Sequence, residues 1–133
     1  MGVLTVLLDK CLNLKDADGP MNKSDPYVMF TLTQDNWGPF DKNFGKAEST
    51  HKKGDCNPVY NETFTFEIPS LKNMVLHVKV KDEDWGLDDK LGWCKIKLDE
   101  LGLSATPTGI ERTVDNNVVR KDGKIYLQLS YTE

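Results

Sequence analysis

A chain of 133 residues with a formal charge of −4 can bury one hydrophobic core but not two. Its shares of aromatic and charged residues are those of a folded rather than a disordered chain, and the mild acidity argues against a general nucleic-acid binder. No apolar run nears the roughly 20 residues that cross a bilayer, so the expectation is one cytoplasmic globular domain over 1–133.

The chain opens on MGVLTVLLDK, where Leu4, Val6 and Leu8 share one face of a predicted strand. This stretch lacks the basic flank and small-residue cleavage site of a signal peptide. Val6 stands where a myristoylation signal carries Ser or Thr. Met1 is expected to be the natural N-terminus, and the end at Glu133 leaves room for a downstream domain. Next comes a long connection, 14-LKDADGPMNKSD-25, with Asp16, Asp18 and Asp25. In 26-PYVMFTL-32, Val28, Phe30 and Leu32 alternate with Tyr27, Met29 and Thr31. A second long connection, 33-TQDNWGPFDKNFG-45, is dense in turn-formers. It leads into a polar strand predicted over 46–53.

The alternation is cleanest in 63-TFTFEI-68, which points Phe64, Phe66 and Ile68 inward. The segment 75-VLHVKVK-81 turns Leu76, Val78 and Val80 inward and His77, Lys79 and Lys81 outward. An acidic stretch, 82-DEDWGLDDKLG-92, precedes further strands over 93–98, 110–114 and 124–131, with a helical turn at 99–102. A period of two with turn signals between runs predicts an all-β fold, an eight-stranded antiparallel β-sandwich. Cys11, Cys56 and Cys94 are odd in number and lack metal-ligand spacing, so they read as reduced thiols. The sequons at Asn22 and Asn61 are incidental in a chain without a secretory signal.

Two connections concentrate carboxylates: Asp16, Asp18 and Asp25 in one, and Asp82, Asp84, Asp88 and Asp89 in the other. Like charges about 4 Å apart repel by roughly 4 kcal/mol at an effective dielectric of 20, and a divalent cation reverses that sign. Calcium accepts six to eight oxygens in flexible geometry, magnesium demands a tighter octahedron, and neither His51 nor His77 has a second soft ligand nearby for zinc. An EF-hand loop is excluded. Its twelfth position would be Tyr27 counted from Asp16, or Trp93 counted from Asp82, instead of glutamate. The ligands must therefore come from separate loops at one end of the sandwich. Hydrolase motifs such as G-x-S-x-G and H-E-x-x-H are absent, so the chain does not read as an enzyme.

Four stretches carry a family resemblance: 24-SDPYV-28, 57-NPVYNETFTF-66, 80-VKDEDWGLDDKLG-92 and 123-GKIYLQLSY-131. In this order they resemble the C2 domain, the calcium- and phospholipid-binding module of protein kinase C, phospholipases and synaptotagmins. The closing G-x-I-x-L-x-L strand implies the second of the family's two circularly permuted topologies. The resemblance implies calcium, two ions, held by Asp25, Asp82, Asp84 and Asp89. Asp16 or Asp18 would add a first-loop ligand, with Asp16 favoured by its N-L-x-x-D setting, and Asp88 would be an outer ligand or a neighbour.

The implied function is calcium-dependent docking onto an anionic phospholipid membrane. Pro20, Met21, Trp85 and Leu87 would enter the interface, where tryptophan suits the mixed polarity. Lys52, Lys53, Lys79 and Lys81 match a lysine-rich face that binds phosphoinositides in this family, although outward lysines also simply discourage edge pairing. The alternative is a calcium-independent module that binds a protein partner.

Overall fold

The computed structural model describes residues 1–14, 25–36, 38–83, 89–114 and 123–133, with Phe40, Asp89 and Lys90 described by their backbone alone. Eight antiparallel strands form two four-stranded sheets, as the period of two predicts. They are β1 (Gly2–Leu12), β2 (Pro26–Gln34), β3 (Lys42–Glu48), β4 (Val59–Ile68), β5 (Met74–Asp82), β6 (Asp89–Lys97), β7 (Thr108–Thr113) and β8 (Lys124–Thr132). One sheet runs β4-β1-β8-β7 and the other β3-β2-β5-β6.

The core lies between the sheets, and one parity of each central strand supplies it. Leu4, Val6 and Leu8 of β1 and Ile125, Leu127 and Leu129 of β8 are buried on one side. Val28, Phe30 and Leu32 of β2 and Leu76, Val78 and Val80 of β5 are buried on the other. Phe64 is only partly buried, yet its ring tilts against Phe30 across the sandwich with centroids 5.4 Å apart. Fully burying a side chain of this size stabilises the fold by about 1.5–3 kcal/mol. Tyr27 departs from the expected outward exposure. It is 4% exposed, because the His51 ring stacks on it at 4.1 Å and 8°.

The third strand is displaced from its predicted span. It occupies Lys42–Glu48 rather than 46–53, so part of the supposed long connection forms a hairpin arm against β2. After Glu48 the chain turns away because Ser49 takes over the edge of β2. Its N–H donates to Val28 O, and its Oγ accepts from Val28 N at 2.8 Å. Within β3, Gly45 has a φ of 144°, and an added Cβ would sit 3.1 Å from Phe66 of the opposite sheet. The predicted helical turn at 99–102 is a single 3-10 turn at Leu98–Glu100. Among the described residues no helix is long and apolar enough to cross a membrane.

Candidate metal-binding pole

Strand pairing gathers the acidic positions before any side chain is considered. Pro26 of β2 pairs with Asp82 of β5, and Asp82 pairs with Asp89 of β6. Asp25 immediately precedes that row. Paired Cα atoms in an antiparallel ladder lie roughly 4.5–5.5 Å apart, so three predicted ligands share one end of one sheet. An irregularity between Val80 and Lys81 in the β5–β6 pairing sets this register, with Leu91 the extra residue on β6. The bulge shifts the last pairs by one position, so that Asp82 faces Asp89.

Asp25 and Asp82 are fixed by backbone hydrogen bonds. The Asp25 N–H donates to Asp82 Oδ1 at 2.8 Å, and the Glu83 N–H donates to the Asp25 carbonyl at 3.1 Å. The Gly54 N–H donates to Asp25 Oδ1 at 2.6 Å. Gly54 reaches that position with a φ of +62°, in a left-handed turn where a side chain costs about 1 kcal/mol or more. The Asp82 side chain has no solvent exposure. Two carboxylates are thereby preset by segments distant in sequence.

The root of the first acidic connection is fastened to the β3–β4 connection. Cys11 N–H donates to Pro58 O, Leu14 N–H to Cys56 O at 3.0 Å, and Asn13 N–H to Asn57 Oδ1 at 2.8 Å. Tyr60, a β4 residue, donates its hydroxyl to Pro26 O at 2.8 Å, and burial pushes that phenol well above its usual pKa. It stays a donor at any working pH. The β7–β8 hairpin closes at the same pole, where Val114 N–H donates to Gly123 O. No motif in the sequence marks this last connection as part of the site. The only cue was the placement of two predicted strands around a polar stretch.

Asp16, Asp18, Asp84 and Asp88, and the apolar tips Pro20, Met21, Trp85 and Leu87, lie outside the described residues. Asp89 is placed by its backbone at the start of β6. Among the described residues no group of three or more His, Cys, Asp or Glu side chains forms a metal cluster. Asp25 and Asp82 are carboxylate donors at the end of the sheet, a donor class that suits a hard divalent ion and no soft one.

The four candidate lysines come from two elements, β5 and the β3–β4 connection. Lys79 and Lys81 point the same way from β5, pairing with Met29 and Tyr27 of β2. Lys52 lies with Nζ 5.7 Å from the Tyr60 ring of β4. Lys53 is exposed in the β3–β4 connection.

The sequence pattern of the C2 domain family matches residues 2–113. The chain belongs to the C2 domain family. Among curated relatives of this C2 domain is human synaptotagmin-10, 36% identical over 105 residues. That match takes in 77% of this chain and 19% of the relative. Synaptotagmin-1 of Caenorhabditis elegans is 36% identical over 118 residues, 86% of this chain and 24% of that protein. The C2 domain thus spans about a fifth to a quarter of the curated relatives it matches.

Two solved structures extend the likeness. A single C2 domain of a plant extended synaptotagmin 1 superimposes with a TM-score of 0.82 over 99% of this chain and 97% of that one. Its 24% identity makes this a likeness of fold. Extended synaptotagmin 2, solved as a pair of C2 domains with calcium bound, matches with a TM-score of 0.73 and 26% identity. That match covers 98% of this chain and 45% of the other.

Proposed function

We propose that residues 1–133 form a single C2 domain of the second permuted topology, which docks on anionic phospholipid membranes when calcium is bound. The observation that carries this reading is the row Asp25, Asp82, Asp89 at the end of β2, β5 and β6, with Asp25 and Asp82 already held by backbone donors. The calcium-bound state of extended synaptotagmin 2 supports it by family likeness. The closing strand 123-GKIYLQLSY-131, which forms β8, supports the permuted topology by family resemblance.

In this reading Asp25, Asp82, Asp84 and Asp89 hold two ions, with Asp16 or Asp18 completing the first loop and Asp88 outermost. Calcium supplies charge neutralisation and open coordination positions for lipid oxygens. The protein contributes the rest. The backbone donors fix Asp25 and Asp82 before binding, so little ordering cost falls on the binding step. The clustered carboxylates repel anionic headgroups until they are neutralised. Pro20, Met21, Trp85 and Leu87 then supply apolar contact at the interface. Lys79 and Lys81, sharing one outward face, add a phosphoinositide contact, and Lys52 and Lys53 flank it from the neighbouring connection. The domain would be cytoplasmic and recruited to the membrane as calcium rises.

Sedimentation with phosphatidylserine–phosphatidylcholine vesicles tests the proposal. The native chain should pellet with calcium and stay in the supernatant with chelator, and Asp82→Asn should abolish the difference. Equal partitioning with and without calcium would reject it in favour of the calcium-independent protein-interaction reading. Replacing Lys79 and Lys81 with alanine should weaken binding to phosphoinositide vesicles selectively. An unchanged affinity would remove the lysine contact from the proposal.

A further inference from the structure

We infer that His51 is a proton-operated clamp joining the β3–β4 connection to the exit of β5. The ring is held on three sides. Its Nδ1 lies 2.5 Å from Glu83 Oε2, one residue past β5, and its Nε2 lies 3.6 Å from Glu48 Oε1 at the end of β3. Its face stacks on Tyr27 of β2, so the ring cannot swing away without losing that contact.

A neutral imidazole has one N–H and one lone pair, whereas the charged ring donates from both nitrogens. With a carboxylate at each nitrogen, only the protonated ring can both hydrogen-bond Glu83 and hold Glu48 in a longer ion pair. Loss of the proton leaves the N–H on the Glu83 side, the closer contact, and turns a lone pair toward Glu48. The charged groups facing the ring are Glu48 from β3 and Glu83 from the exit of β5. Tyr27 from β2 contributes an aromatic face, and Lys81 is its ladder partner. In the chain itself Lys52 and Lys53 follow directly, with Lys52 turned to Tyr60.

Partial burial works against the charge on His51, but Glu83 and then Glu48 outweigh it and hold the ring above the ordinary histidine pKa. A raised folded-state pKa means that the clamp is fully engaged below about 6.5, the unfolded value. It releases as pH rises through the folded value. The segment it steadies begins with Glu83, whose N–H donates to the Asp25 carbonyl. Mild acidity therefore tightens the root of the β5–β6 connection. This clamp stands apart from the docking proposal, since it needs neither ion nor lipid.

The test is an imidazole NMR titration of the native chain in metal-free, lipid-free buffer, beside Glu83→Gln, Glu48→Gln and His51→Gln. The native His51 midpoint should lie above that of His77. Glu83→Gln should lower it by at least about half a unit, a roughly threefold loss of proton affinity, and Glu48→Gln by less. Amide exchange reads the consequence. After correction for intrinsic rates, the Glu83 amide should be better protected at pH 6 than at pH 8 in the native chain, and equally protected at both in His51→Gln. A midpoint unmoved by both acidic substitutions would overturn the clamp, as would a pH difference in protection that survives His51→Gln. Because no calcium or membrane is present, such a failure leaves the docking proposal standing, and a negative vesicle result leaves the clamp standing.

Discussion

Asn61 has a φ of 52° inside β4, where the register with β1 slips between Leu8 and Lys10. Asparagine tolerates this left-handed conformation, and a β-branched residue does not. Asn61→Val should therefore destabilise the domain by about 1–2 kcal/mol, and Asn61→Gly by much less, as read from urea unfolding midpoints. Asn57 plays a different part, accepting the Asn13 N–H at the root of the first acidic connection. Its loss in Asn57→Ala should cost about 1 kcal/mol. Glu62, next in the same motif, accepts from Thr50 Oγ1 at 2.6 Å and Thr50 N at 3.0 Å. One of the four stretches that resemble the family thus holds neighbouring loops in place. None of its side chains is a proposed ligand.

Among the elements, β2, β5, β8 and the 63–68 part of β4 were legible because each carries an apolar residue at every second position. Strand β3 was not. Its sequence KNFGKAE sits at a sheet edge and buries little, so no period marks it. The hydrogen bond from Gly54 to Asp25 was equally hidden, since it joins residues 29 apart through a turn. The acidic residues themselves were visible. What could not be read was which backbone groups would hold them.

The two histidines should drive stability in opposite directions with pH. On β5, burial first and then Lys95 lower the His77 pKa, Asp35 pulls the other way, and Lys79 adds a smaller lowering. Its Nε2 lies 2.9 Å from Thr33 Oγ1, whose single proton goes to Asp35 at 3.0 Å, so Nε2 carries hydrogen. A base with a depressed folded-state pKa takes up protons more readily when unfolded, so it erodes stability as pH falls below about 6.5. His51 adds stability over that same acid range. Removing His77 in His77→Gln should make the domain relatively more stable at pH 5.5 than at pH 8. His51→Gln should do the reverse. Thermal melts of the three proteins at both pH values would check the pair.

At the scale of the molecule, an ion that binds only the folded chain must raise its melting point. On the docking proposal, calcium at one hundred times its dissociation constant should add about 2.7 kcal/mol, and Asp82→Asn should forfeit most of it, as a calorimetric melt with and without chelator would register. Attraction to an anionic bilayer should also fade with salt, because the Debye length shrinks from about 10 Å at 0.1 M to 3 Å at 1 M. Vesicle affinity in calcium that is indifferent to this range would point to apolar contact as the main force.

The first and last strands lie side by side, with Val3 opposite Thr132. β1 runs from there toward the acidic end, and β8 returns from it, so both ends of the chain emerge at the pole farthest from Asp25 and Asp82. Whatever is fused to either terminus hangs from the back of the domain, like two ropes tied to the stern of a moored boat. A bulky fusion partner should therefore leave the proposed docking unhindered, and a short linker joining the two ends should close the chain into a ring without disturbing a single rung of either sheet.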